Sequence, residues 1–271
     1  MKAKSVVKGR IAAFFFLTSI ASASAIGVGL ALTLPTAASA QASVSGDSQL
    51  QADVSKALNK KQFQNVTAVV KNGMVTLQGT VAVYADKEDA DRRAHHRKGV
   101  LGVENMIEVA AGETDDTTLR NKLAEKLTYD RVGYGTTAFN SITIGVQKGV
   151  VTLGGVAYGP VDKDSAVSLV ANYPGVRDIV DNIEVAPLSP NDDRIRMAAF
   201  RSIYGYPSLN KYAIDPAKPI RITVVNGNIT LTGVVDSKAD SDIANIRANS
   251  VPGAFKVTNE LQVARDRPEK K

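Results

Sequence analysis

Three glycines recur three times along this chain with one fixed spacing. In each set the second glycine follows the first by six residues, and the third follows after twenty more. The sets are Gly73/Gly79/Gly99, Gly149/Gly155/Gly175 and Gly227/Gly233/Gly253. The first members lie 76 and 78 residues apart, and the apolar positions between the glycines keep the same register. This spacing predicts three copies of one small folded unit.

The N-terminus has the three parts of a secretory signal peptide. Four basic residues lie within positions 1–10, an uncharged apolar stretch runs from Ile11 to Leu34, and Ala38-Ser39-Ala40 precedes Gln41. A small-residue end of this kind predicts cleavage after Ala40. The apolar stretch is also long enough for an uncleaved anchor, which is the alternative. We expect an exported, periplasmic protein.

Charge and cysteine content exclude several classes of function. The net charge of +6 falls to +2 when the four basic residues of segment 1–40 are removed, so a nucleic-acid partner is not supported. The chain has no cysteine, which excludes disulfides, thiolate metal sites and an N-terminal lipid-modified cysteine.

Each unit begins with a helical pattern and then changes to strand alternation. Apolar residues spaced by four predict the first helix, and apolar residues spaced by two predict the strands on either side of the first glycine. The helix positions are Leu50/Val54/Leu58, Leu119/Leu123/Leu127 and Ile195/Ala199/Ile203. Asp47, Asp116 and Asp192 stand just ahead of these helices, where acidic residues suit a helix N-terminus.

The glycines mark the turns of the unit. We expect Gly73, Gly149 and Gly227 to supply the positive φ of a tight hairpin turn. Gly79, Gly155 and Gly233 should end or bulge the second strand, and Gly99, Gly175 and Gly253 should end a second helix. A third strand follows, and the strand–helix–strand connection should place it parallel to the second strand.

The predicted fold class is α+β, with three tandem α-β-β-α-β units. Each unit has two layers, two helices on one face of a three-stranded mixed sheet. The other sheet face must be covered by a neighbour or remain half polar. The predicted segments are a signal peptide at 1–40, repeat 1 at 47–110, repeat 2 at 115–186, repeat 3 at 192–264 and a basic tail at 265–271.

This pattern resembles the BON domain, found in osmotically inducible and nodulation-related envelope proteins of bacteria. The residues that carry the resemblance run from Val70 to Gly79 and from Gly99 to Asn105, with counterparts at the same spacing in repeats 2 and 3. The resemblance implies a two-layer α/β fold in the bacterial envelope and a role in attachment to phospholipid or other envelope surfaces. It implies no catalytic residue.

A basic cluster ends the second helix of repeat 1. Arg92, Arg93, Arg97 and Lys98 could contact anionic lipid head groups, and His95 and His96 lie between them. The alternative is a solvated helix end whose cations complement the helix dipole. Adjacent histidines point about 100° apart on a helix, so they do not form a metal site by themselves.

Two other groups of residues have structural alternatives. Tyrosine and phenylalanine residues in the long loops of repeats 2 and 3 could form an interface or could cover the sheets. Asp86, Asp162 and Asp240 occur once per repeat near a helix start, where helix electrostatics accounts for them better than catalysis.

We therefore expect a non-enzymatic envelope protein with no cofactor or metal. Its expected partner is an anionic phospholipid surface or another envelope component, with a role in osmotic or envelope stress. The alternative is a periplasmic protein-interaction or holding-chaperone module, whose partner would be another protein.

Overall fold

A computed structural model describes residues 37–110, 114–129, 137–187, 189–214 and 219–264. The helices are α1 (Ala37–Ala57), α2 (Tyr84–His95), α3 (Asp116–Tyr129), α4 (Pro160–Ala171), α5 (Pro190–Tyr204), α6 (Lys211–Ile214) and α7 (Lys238–Asn249). The strands are β1 (Val66–Lys71), β2 (Met74–Val81), β3 (Gly102–Val109), β4 (Ser141–Gln147), β5 (Val150–Ala157), β6 (Asp178–Val185), β7 (Arg221–Val225), β8 (Asn228–Val235) and β9 (Lys256–Val263). In these ranges no helix is both long and apolar enough to span a bilayer.

The strands form three separate three-stranded sheets, in the orders β1-β2-β3, β4-β5-β6 and β7-β8-β9. Each first pair is an antiparallel hairpin, and each third strand lies parallel to the second. The α-β-β-α-β order, the mixed sheets and the α+β class predicted from the sequence are confirmed.

The predicted signal peptide and basic tail lie mainly outside the residues that the structure describes. Residues 1–36 and 265–271 lie outside the described residues, as does Tyr134 of the first long loop. The proposed cleavage position after Ala40 falls in the first turn of α1. The helix therefore begins earlier than the sequence indicated, because residues 37–45 are mostly alanine and serine and contain no helix breaker.

The core of repeat 1 is complete although its second helix is largely polar. Ala90 and Ala94 are fully buried, and their small side chains let α2 approach the sheet closely. Phe63, from a short 3-10 helix between α1 and β1, fills the remaining space and is 2% exposed. It joins Leu50, Val54 and Leu77 in one cluster.

Each hairpin turn has two consecutive residues with positive φ, as a two-residue type I′ turn requires. In repeat 1 these are Asn72 (φ 51°) and Gly73 (φ 75°). The pairs Lys148/Gly149 and Asn226/Gly227 have the same conformation. The remaining six of the nine glycines also have positive φ.

A carboxylate from the first helix holds each of these turns. Asp47 accepts hydrogen bonds from the backbone N–H groups of Asn72 (2.6 Å) and Gly73 (2.9 Å). Asp116 and Asp192 do the same for the turns of repeats 2 and 3. Each of these aspartates therefore links the first helix of its unit to the hairpin turn. Asp47 lies inside α1 rather than ahead of it.

The second glycine of each set lies within a strand, not at its end. A Cβ on Gly79 would lie 1.9 Å from the carbonyl oxygen of Asn65, and one on Gly155 would lie 1.9 Å from that of Ser141. The strands β2 and β5 continue beyond these glycines to Val81 and Ala157. Close approach of the neighbouring backbone, together with the positive φ, explains why glycine occupies these positions.

Repeats 2 and 3 pack against each other. Phe139, which precedes β4, is 6% exposed and belongs to the core cluster of repeat 3, where its ring contacts Phe200 and Tyr158. Arg196 of α5 lies 4.7 Å from the ring centre of Tyr158 in repeat 2. Tyr204 and Tyr212, which the sequence pattern assigned to a long loop, lie at the end of α5 and in α6 and are buried, so they serve packing in repeat 3.

Candidate functional site

The basic cluster predicted in repeat 1 lies at the C-terminal end of α2, where two of its members share one carboxylate. Arg92 and Arg93 contact the two oxygens of Asp89 at 2.6 Å and 2.7 Å. Burial raises the pKa of Asp89, but the hydrogen bonds and charges of Arg93 and Arg92 outweigh it, and the pKa is lowered overall. Asp89 therefore stays ionised and offsets part of the positive charge.

Arg93 also has a packing role. Its guanidinium lies 5.8 Å from the centre of the Phe63 ring, within the range of a cation–π contact. Phe63 fills the core beneath α2, so Arg93 covers that core and binds Asp89 at the same time. A change at Arg93 would thus disturb packing as well as charge.

The two histidines are held by separate partners on the helix. Nδ1 of His95 lies 3.0 Å from Asp91, whereas Nδ1 of His96 lies 2.6 Å from the carbonyl oxygen of Arg92. A carbonyl only accepts, so Nδ1 of His96 carries a proton. Among the residues that the structure describes, no three potential ligands are grouped to hold a metal ion.

The end of α1 brings further cations to the same place. Lys56 and Lys60 line a shallow groove together with Arg93, Arg97 and Lys98, and the other lining residues are Asp53, Ala57 and His96. We call this the basic groove. It combines five fixed positive charges with one carboxylate, that of Asp53. Arg92 points elsewhere and is not among its lining residues.

Four of the five groove cations form no ion pair within the described part of the chain: Lys56, Lys60, Arg97 and Lys98. Arg97 donates only to the backbone carbonyl of Arg93, at 3.2 Å. Two helices end here, and their dipoles account for some attraction of cations. Dipole effects fall off within the last turn, however, and Lys60, Arg97 and Lys98 lie beyond the helix ends.

The sequence identified three of the five groove cations. Lys56 and Lys60 were missed because more than thirty residues separate them from Arg93, and only the packing of α1 beside α2 brings them together. One sequence signal could have found Lys56: it lies in the last turn of the first helix, which must pack on the same sheet face as α2.

The aspartates that recur near the second-helix starts do not converge on one site. Asp162 accepts a hydrogen bond from Asn140 in repeat 2 (2.8 Å), and Asp240 accepts one from Tyr212 in repeat 3 (2.8 Å). Burial, and next to it the charge of Asp89, raises the pKa of Asp86 in repeat 1. The carboxylates of Asp162 and Asp240 are thus each bound within their own unit, as expected for structural residues.

The chain is similar to a curated protein and to two solved structures. The chain is 25% identical over 206 residues to the osmotically-inducible protein Y of Escherichia coli strain K12, a match that covers 71% of this chain and 96% of that protein. Two solved structures of CdsD, described as a structural protein of the type III secretion system of Chlamydia trachomatis, are 15% and 16% identical to it. They cover 80% and 79% of this chain and 92% and 96% of their own, with TM-scores of 0.23 and 0.21.

A family model also matches, in three segments that follow the repeats. The model of the BON domain matches residues 46–111, 115–187 and 208–265, which together are well over half of the chain. The third match begins after α5, although Ile195, Ala199 and Ile203 of that helix lie in the core of repeat 3. The chain belongs to the BON domain family and carries three copies of the domain in tandem.

Proposed function

We propose that this protein is an exported, non-enzymatic component of the bacterial envelope that binds anionic phospholipid surfaces through the basic groove of repeat 1. The observation that carries this proposal is the excess of cations in the groove, four of which form no ion pair among the described residues. Basic residues near an anionic membrane surface each contribute about 1 kcal/mol to binding.

Export and an osmotic role belong to the same proposal. The sequence of residues 1–40 supports export and cleavage after Ala40. The name of the Escherichia coli relative supports a role under osmotic stress.

The test is co-sedimentation of the mature protein with vesicles of phosphatidylglycerol or of phosphatidylcholine alone. We expect binding to the anionic vesicles only. Changing Lys56, Lys60, Arg97 and Lys98 to Gln should weaken that binding by about two to three orders of magnitude at low salt. The difference should shrink above about 0.15 M salt, where the Debye length is near 8 Å.

A second variant with the same net charge provides the control. It changes four exposed cations of repeats 2 and 3 to Gln: Arg120, Lys122, Arg201 and Lys256. Under the proposal this control retains most of the binding. Equal loss in both variants would show that net charge rather than the groove attracts the vesicle, and no loss in the groove variant would remove the groove from the mechanism.

A protein-binding role is the alternative, and one observation favours it. The outer face of the first sheet exposes Val69, Met74 and Met106, which no helix of the described residues covers. Exposed methionine side chains suit adaptable protein contacts. This alternative predicts that the mature protein suppresses aggregation of an unfolded client without lipid, and that changing Met74 and Met106 to Ser abolishes the effect.

A further inference from the structure

One position in each repeat lies directly against the hairpin turn. It is the second residue after the third glycine, namely Leu101, Arg177 or Phe255. Its backbone N–H donates to the carbonyl oxygen of the turn glycine, at 2.8 Å in repeat 1 and 2.9 Å in repeats 2 and 3. The backbone of this residue is therefore fixed at the hairpin tip.

The side chain of this residue rests on the turn glycine. A Cβ placed on Gly73 would lie 2.9 Å from Cγ of Leu101, and one on Gly149 would lie 2.8 Å from the side chain of Arg177. The leucine is nevertheless 79% exposed. A large apolar side chain is thus held in one place while most of its surface faces outward.

In repeat 1 this leucine adjoins the basic groove. Leu101 lines a second groove together with Leu50, Gly73 and Lys98, and the other polar lining residues are Asp47, Gln49, Asp53 and Asn72. Lys98 and Asp53 line both grooves, so the two lie side by side. One surface therefore presents four cations without ion pairs among the described residues and, beside them, an anchored apolar side chain.

We infer that Leu101 inserts into the acyl region of an anionic bilayer when the basic groove binds the head groups. This inference rests on the proposed function and adds the orientation of repeat 1 on the membrane, with the tip of its hairpin facing the lipid. Charge and apolar surface on one face match the layered chemistry of such a bilayer, anionic outside and hydrocarbon beneath. Arg177, at the same position in repeat 2, has no apolar side chain to insert.

The chain contains no tryptophan, so a single tryptophan can report on one position. The test uses the mature protein with Leu101→Trp, and Arg177→Trp as the matched control at the equivalent position. With phosphatidylglycerol vesicles, we expect the emission of the Leu101→Trp protein to shift to shorter wavelength and to be quenched by lipids brominated in their acyl chains. The Arg177→Trp protein should show neither change.

Co-sedimentation of the same proteins separates the two proposals. If they do not sediment with anionic vesicles, the proposed function fails. If they sediment while the Leu101→Trp protein keeps its emission in buffer and is not quenched, the function stands and the insertion of Leu101 is wrong. Equal shift and quenching at both positions would also overturn the inference, because contact would then not be specific to repeat 1.

A substitution without a reporter gives an independent measurement. Leu101→Ser should weaken partitioning onto anionic vesicles about tenfold, as expected for the transfer of one leucine side chain. The transfer of a leucine side chain does not depend on charge. The relative weakening caused by Leu101→Ser should therefore persist at high salt, whereas the weakening caused by the groove variant should not. Unchanged partitioning of Leu101→Ser, with an unchanged unfolding midpoint, would contradict insertion.

Discussion

At the scale of residues, the carboxylate of Asp240 joins three segments of repeat 3. It accepts hydrogen bonds from the hydroxyl of Tyr212 (2.8 Å) and from Lys211 (3.1 Å), both in α6. The backbone N–H of Asp240 donates to the hydroxyl oxygen of Ser237, the N-cap of α7. The Tyr212 hydroxyl also accepts from the backbone of Asp236. Burial raises the pKa of Asp240, but these hydrogen bonds outweigh it and lower the pKa overall.

We predict that repeat 3 loses stability as the pH falls through the lowered pKa of Asp240. In the unfolded chain an Asp has a pKa of about 3.9, so as the pH falls the unfolded state binds the proton first. The stabilisation that ionised Asp240 gives the folded state is therefore fully present above that pH and is lost below the pKa of Asp240 in the folded state. Urea unfolding between about pH 3 and 6 tests this. Asp240→Asn should flatten the profile and the exposed Asp242→Asn should not; parallel profiles for all three proteins would contradict it.

A second residue-scale prediction concerns Thr223, on the outer face of β7. Its hydroxyl oxygen is buried and has no hydrogen-bond partner among the residues that the structure describes. Removal of an unpaired buried hydroxyl should be favourable, so Thr223→Val should stabilise the protein by about 1–2 kcal/mol. The control is Thr67→Val at an exposed position of β1, with an expected change below about 0.5 kcal/mol. A lower urea midpoint for Thr223→Val would count against this account.

At the scale of elements, the close approach of the two strands within each hairpin depends on glycine. In β5, Gly155 has φ 88° and lies against the carbonyl oxygen of Ser141, whereas Gly145 in β4 has open space around its α-carbon. Gly155→Ala should cost at least about 2 kcal/mol, because the left-handed conformation is strained and the β4 backbone must move. Gly145→Ala, the matched control, should be close to neutral. Similar unfolding midpoints for the two variants would show that the backbone contact is unimportant.

The periodicity of the sequence predicted these elements well because helix and strand patterns are local properties. It placed the hairpins, the second helices and the parallel third strands of all three units. It could not show that Asp47, Asp116 and Asp192 bind the hairpin turns, since that contact spans 25 to 35 residues and depends on how the helix packs. For the same reason Lys56 and Lys60 were not connected with Arg97 and Lys98.

At the scale of the whole molecule, the three units are not equally independent. Phe139 precedes the first strand of repeat 2 but packs in the core of repeat 3. Arg221 of repeat 3 donates to the carbonyl oxygen of Asn140 at 2.9 Å, and Ser141 and Thr232 share a hydrogen bond of 2.9 Å. Between repeats 1 and 2, Tyr84 packs against the cores of both units. Nothing in the sequence indicated in which core the aromatic residues between the first helices and the hairpins of repeats 2 and 3 would pack.

We predict that Phe139→Ala destabilises repeats 2 and 3 together, by about 3–5 kcal/mol, because it leaves a cavity in the shared core. Hydrogen exchange should show lost protection in β7 and β8 as well as in β4. Phe63→Ala is the matched control, since Phe63 fills the core of repeat 1 alone, and its effect should remain within β1–β3. Loss of protection confined to β4–β6 in Phe139→Ala would contradict the shared core.

The contacts between the aspartates and the hairpin turns also bear on the order in which the chain can fold. Asp47 reaches only as far as Gly73, and Asp192 only as far as Gly227, so each contact closes a short loop inside its own unit. Short-range contacts close with little loss of chain entropy and form early. A chain delivered N-terminus first could therefore complete repeat 1 while the rest is still in transit, whereas repeat 2 would gain its full packing only after β7 and β8 had arrived.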